Sequence, residues 1–130
     1  ITTSDKSILV DMHNRKKEAY NKYLSYGRIN QALVDIIKKR GKDCKAALVT
    51  TASRQNTYDI LKQYNIVDIF DLILTQEDIT KSKPDPEGFL KAMSKYNVKA
   101  QECLIFEDSN VGIEAAEKTG ATVFVVKGFN

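Results

Sequence analysis

Leu104-Ile105-Phe106-Glu107-Asp108-Ser109-Asn110-Val111-Gly112-Ile113-Glu114-Ala115-Ala116 is the stretch whose reading decides the fold. A short apolar run ends in two adjacent carboxylates and turns at once into a helix start. Open α/β sheets keep their chemistry at the carboxyl ends of strands. Two neighbouring acids are costly there unless a cation neutralises them. Their hard oxygens are of the kind Mg2+ takes. A plainer account of the same residues is an acidic helix N-terminus, favoured by the helix dipole.

Upstream of that stretch, strand and helix signals alternate. Ala46 to Thr50 predicts a short apolar strand, and Arg54 to Tyr64 a helix with Tyr58, Ile60, Leu61 and Tyr64 toward a sheet. Leu72 to Leu74 predicts a second strand. Asp85 suits an N-cap and Pro86 a first helical position, for a helix running to about Tyr96. Cys103 to Phe106 is a third strand. Asn110 to Thr119 is a helix closed by Gly120, and Thr122 to Val126 a fourth strand. Nearer the N-terminus, Arg15 to Tyr26 and Gln31 to Arg40 read as helices, the latter with Leu33, Ile36 and Ile37 on its buried face. The alternation predicts an α/β fold with a parallel sheet covered on both sides.

The 130 residues suffice for one core. Net charge is +3, with lysines spread along the chain. No segment interleaves basic and aromatic residues as a nucleic-acid surface does. No apolar run reaches membrane-spanning length, and no signal-peptide pattern opens the chain. Two cysteines, Cys44 and Cys103, make no disulfide framework, which fits a cytoplasmic setting. A lone His13 builds neither a metal cluster nor a serine-type triad.

Two more segments carry chemistry. In Ala47-Leu48-Val49-Thr50-Thr51-Ala52-Ser53 a strand ends in a hydroxyl residue. Thr50 can donate to a phosphate oxygen, and the N–H groups of Thr51 and Ala52 can add to it. Common turn and cap residues would give the same string. In Ser82-Lys83-Pro84-Asp85-Pro86 a lysine is fixed before a stiff helix start. Its ammonium can neutralise a transferring phosphoryl group, though taken alone it reads as a surface lysine. Thr50 stands 33 residues before Lys83, and Lys83 stands 25 before Asp108. Each flanks a strand end, so one edge of a parallel sheet can gather all three.

In these segments the chain resembles the haloacid dehalogenase-like hydrolase superfamily, in the branch of β-phosphoglucomutase and phosphoglycolate phosphatase. Leu48-Val49-Thr50-Thr51, Ser82-Lys83-Pro84-Asp85-Pro86 and Phe106-Glu107-Asp108-Ser109 fit the family's second, third and fourth motifs, with Gly112, Ala115-Ala116 and Thr119-Gly120 following. The resemblance implies a Rossmann-like three-layer core. It implies that Thr50 and Thr51 bind phosphate, that Lys83 binds phosphate and acts in catalysis, and that Asp108 with Glu107 holds Mg2+. The implied activity is a Mg2+-dependent phosphohydrolase or phosphomutase acting on a small phosphorylated metabolite through an aspartyl-phosphate.

The family's first motif, a strand ending in Asp-x-Asp, is absent from the sequence. Two alignments remain. Ile8-Leu9-Val10-Asp11-Met12-His13 can be a degenerate first motif, with Asp11 as nucleophile. Alternatively, Arg15-Lys16-Lys17-Glu18-Ala19-Tyr20 resembles the last helix of the family's cap. The second alignment is the expectation here: residues 1–28 are the end of a cap, residues 29–130 are the core, and the catalytic strand lies upstream of a truncated, inactive chain. The sheet would then lack its central first strand. A separately bound N-terminal segment, a swapped strand from a second copy, or Ser7 to Val10 would have to fill the gap, because unpaired buried backbone groups are costly.

The missing Asp-x-Asp also motivates a different class of function, an inactive domain that binds a phosphorylated ligand or a partner protein. A phospho-acceptor signalling domain is disfavoured, since its acid pair precedes the Thr and Lys in the chain. A nucleoside triphosphatase is disfavoured because G-x-x-x-x-G-K-[ST] is absent.

Overall fold

The structure, a computed structural model, describes residues 7–10 and 31–126, the first of these segments by its backbone. Five strands form one parallel sheet: β1 (Ser7–Val10), β2 (Lys45–Val49), β3 (Leu72–Leu74), β4 (Cys103–Glu107) and β5 (Thr122–Val125), in the order β3-β2-β1-β4-β5. Four described helices flank it: α1 (Gln31–Lys38), α2 (Arg54–Gln63), α3 (Glu87–Lys95) and α4 (Asn110–Glu117).

The strands β2 and β4 read as continuous apolar runs because both of their faces are covered. Successive side chains alternate between the faces. Ala46, Leu48, Leu104 and Phe106 pack with Leu33, Val34 and Ile37 of α1 and Leu61 of α2. Ala47, Val49, Cys103 and Ile105 pack with Phe89, Ala92 and Met93 of α3 and Ala115 and Ala116 of α4. The result is the expected three-layer α/β architecture. Among the described residues no helix is long and apolar enough to cross a membrane.

The expectation of a missing central strand is corrected. β1 fills that position, in parallel register with both neighbours: Ser7 stands opposite Lys45 and Cys103, and Val10 opposite Leu48 and Phe106. Ser7 to Val10 was one of the three fillers considered. Its placement gives the inner edges of β2 and β4 the main-chain partners they would otherwise lack. The cap-helix expectation for Arg15 to Tyr26, and with it Asp11 and His13, lies outside the described residues, as does most of the proposed 1–28 segment.

Local signals explain most boundaries. The Ser53 side chain accepts the Asn56 N–H at the start of α2, and that of Ser109 accepts the Gly112 N–H at the start of α4. Gly120 takes φ +86°, the left-handed cap its position called for. Asn65 and Asn97, just past α2 and α3, take the same conformation at φ 58° and 53°. Two expectations shift. The buried face of α1 carries Val34 in place of Ile36, which is exposed. The helix α3 starts at Glu87, one residue late, yet Asp85 still caps it by accepting the Glu87 N–H at 2.9 Å.

Candidate active site

β2 and β4 end side by side around β1, and the loops after them carry the residues singled out above. Thr50 follows β2 directly and is buried. Its Oγ1 accepts the Ala52 N–H at 3.1 Å, which fixes the hydroxyl at the strand end. That bond engages one of the two amides expected to serve a phosphate.

Lys83 reaches in from the loop before α3, across a cis Lys83–Pro84 peptide. Its side chain is 5% exposed. Nζ lies 3.3 Å from the Val49 carbonyl and 3.7 Å from Glu107 Oε2, and 5.1 Å from the centre of the Phe89 ring. Val49 is the last residue of β2 and Glu107 the last of β4. The ammonium therefore bridges the carboxyl ends of the two strands that flank β1.

Glu107 has no exposed surface. Oε1 accepts N–H bonds from Asp108 at 3.0 Å and Ser109 at 3.3 Å, and the Ser109 hydroxyl at 3.3 Å. The carboxylate is thus held by the loop that opens α4 and by the lysine. Asp108 is half-buried, with Oδ1 turned out of solvent. No group of three or more His, Cys, Asp or Glu gathers among the described residues. Mg2+ is commonly held by one or two carboxylates, the rest of its shell being water and phosphate oxygens. Hard oxygens on two adjacent residues at a strand end fit that ion, with Asp108 the more accessible of the two.

A cleft of about 450 Å³ opens at this edge, lined by Thr50, Thr51, Gln76, Ile79, Thr80, Ser82, Lys83 and Val111. The structure brings together Thr50, Thr51 and Lys83 along it, and Lys83 contacts Glu107 beneath. Sequence reasoning missed the wall from Gln76 to Lys81 that leads into the Ser82–Lys83 segment. That wall is tied down by carboxylates. Glu87 accepts the N–H groups of Thr80 and Lys81, both at 2.8 Å. These two bonds are the leading reason its carboxyl sits below the usual range. Glu77 Oε1 accepts the Thr75 hydroxyl at 2.8 Å and the Arg54 N–H at 2.9 Å. The hydroxyl is the main cause of the lowered pKa of Glu77. Asp78 is lowered first by the Thr75 N–H, which it accepts at 2.9 Å. The Gln76 N–H closes onto the Ala52 carbonyl at 2.9 Å, joining this wall to the threonine loop. The only advance signal was the run of acids and hydroxyls between β3 and α3.

A family model described as haloacid dehalogenase-like hydrolase matches residues 3–126. A phosphorylated carbohydrates phosphatase of Thermotoga maritima is 28% identical over 109 residues, covering 84% of this chain and 50% of that protein. A haloacid dehalogenase-like hydrolase domain-containing protein of Arabidopsis thaliana is 30% identical over 132 residues, covering 93% of this chain and 40% of that protein. The chain thus spans about half, or less, of the length of these relatives. The crystal structure of CbbY from Rhodobacter sphaeroides in complex with phosphate superposes with a TM-score of 0.69 at 16% identity, over 96% of this chain and 87% of that one, a likeness of fold.

Proposed function

The chain belongs to the haloacid dehalogenase-like hydrolase family, and we propose that it furnishes the phosphate- and metal-binding part of a phosphohydrolase or phosphomutase for a small phosphorylated metabolite. The observation that carries this reading is the Lys83 ammonium bridging Val49 and Glu107 beside Thr50 at one edge of the sheet. A phosphoryl group in the cleft would meet a fixed cation, the Thr50 hydroxyl and the loop at Thr51. Pre-set charges of this kind count most where phosphoryl oxygens gain charge on the way to the transition state.

Asp108, with Glu107, would hold Mg2+, which when bound screens phosphate charge and polarises the P–O bond. In the complete reaction an aspartate attacks phosphorus, the leaving group departs, and water cleaves the aspartyl-phosphate. Lys83 orients that aspartate and neutralises the phosphoryl oxygens. No Asp-x-Asp stands in this sequence, but β1 already fills the central place where the first-motif strand belongs. We therefore assign the nucleophile to Asp11, the residue that follows β1 in the sequence, and, with His13 in place of the second aspartate, expect the 130 residues alone to be inactive. The metal dependence and the cytoplasmic setting belong to the same proposal; the division into cap (1–28) and core (29–130) does not stand with those bounds, because Ser7–Val10 is the central strand of the core sheet.

The test is hydrolysis of p-nitrophenyl phosphate by this chain, with Mg2+ and with EDTA, beside Asp11→Asn. No turnover, with retained binding of inorganic phosphate, is the expected result. Mg2+-dependent turnover abolished by Asp11→Asn would bear out Asp11 as the nucleophile and overturn the expected inactivity. Absence of phosphate binding would overturn the site itself.

The missing Asp-x-Asp also favours a second reading, an inactive phosphate-binding domain. Mg2+ and phosphate binding without turnover in the natural full-length product would support it. An intact Asp-x-Asp strand in that product would remove its basis.

A further inference from the structure

We propose that Gly112 is a positioning residue for this site: its missing side chain is the space in which the Glu107 carboxylate lies. The inference rests on the proposed phosphoryl-transfer reading for its functional consequence, and on geometry alone for the contact. A Cβ placed on Gly112 would overlap the Glu107 carboxylate carbon and both oxygens. The carboxylate is thus laid against the first turn of α4, where helix N–H groups and the dipole favour negative charge. The Ser109 hydroxyl links the two residues, accepting the Gly112 N–H at 3.1 Å and donating to Glu107 Oε1 at 3.3 Å. From Glu107 the chain of contacts runs on to Lys83.

An added methyl has two ways out. It can lift α4, but Ala115 and Ala116 pack with no exposed surface against the sheet. Otherwise it must move the Glu107 carboxylate, and with it the counter-charge that holds Lys83. The carboxylate is the softer of the two. Glycine is a poor helix former, and alanine would restore that deficit, so local helix preference alone would favour alanine at this position.

The test is a double-mutant cycle on the full chain: Gly112→Ala in the native background and in Glu107→Asp, whose side chain is one methylene shorter and makes room for the methyl. Inorganic phosphate binding by calorimetry and the melting temperature are read together. Gly112→Ala is expected to weaken phosphate binding at least about tenfold in the native background and less than about threefold in Glu107→Asp. The melting temperature should fall only in the native background. Equal losses in both backgrounds, in either readout, would overturn the proposal. If the native chain binds no phosphate, the reading of the site fails, and the melting-temperature cycle still decides whether Gly112 and Glu107 are coupled.

Discussion

Lys83 Nζ stands 3.7 Å from Glu107 Oε2, with the two side chains 5% and 0% exposed. Removing one partner of a buried ion pair strands the other charge out of water, a loss of roughly 3 kcal/mol or more. Lys83→Met should therefore destabilise the chain by about that amount in urea unfolding, well beyond the effect of a surface lysine. Adding Glu107→Gln to Lys83→Met should recover part of the loss, since an amide tolerates burial better than an unpaired carboxylate. A Lys83→Met loss below about 1 kcal/mol would mean that the pair is screened by water, as exposed pairs are.

Glu87 holds the cleft wall by accepting the Thr80 and Lys81 N–H groups, and its pKa is lowered in consequence. Glu77 and Asp78 are lowered too, each chiefly by Thr75. The sign follows from linkage. A carboxylate more acidic when folded contributes stability that is complete above its unfolded pKa and is lost as pH falls through its folded pKa. The window thus opens near the ordinary values of 3.8 for Asp and 4.5 for Glu and extends to more acid pH. The melting temperature should fall from about pH 5 to about pH 3, and Glu87→Gln should make that fall shallower while lowering stability at neutral pH. An unchanged slope in Glu87→Gln would show that its two bonds persist without the charge.

Much of this arrangement was legible in the sequence. β2 and β4 announced themselves as apolar runs, and Gly120 marked the C-terminal end of α4. Thr50 and Lys83 meet at one edge because strand ends in a parallel sheet must. What stayed hidden lacks a period. Thr80 and Lys81 are placed by Glu87, a residue on the next helix, and no local pattern encodes that reach. The exposure of Ile36 with burial of Val34 turns on a small rotation of a short helix that apolar spacing does not resolve. The place of Ser7–Val10 was obscured by the absent Asp-x-Asp, since motif spacing says nothing of a strand whose signature is missing.

Gly88 sets how closely α3 approaches β2. A Cβ there would stand 2.7 Å from Val49 Cγ1 and 3.0 Å from Ile79 Cδ1. Val49 has no exposed surface and a stiff branched side chain, so it cannot give way freely. Gly88→Ala gains up to about 1 kcal/mol of helix preference. Overpacking a tight core costs about 1–3 kcal/mol. The net should be a destabilised chain with a lower denaturation midpoint. Because Lys83 touches the Val49 carbonyl, phosphate binding should weaken in parallel. A stabilised Gly88→Ala would mean that α3 slides outward at little cost.

The central place of β1 yields the most direct test of the sheet. Leu9 pairs with Ala47 on one side and Ile105 on the other. Proline carries no N–H and fits edge strands, not a strand bonded on both sides. Leu9→Pro removes a ladder bond where the inner edges of β2 and β4 have no other described partner, and proline is found in sheets essentially only on edge strands or at bulges. The variant should unfold far more readily than the parent, and amide exchange at Ala47 and Ile105 should lose its protection. The same substitution at Val125, on the edge strand β5 and 60% exposed, should cost much less. A silent Leu9→Pro would mean that another strand, from a second copy or a separate segment, occupies the centre of the sheet. Concentration-dependent melting of the variant would then identify a second copy as its source.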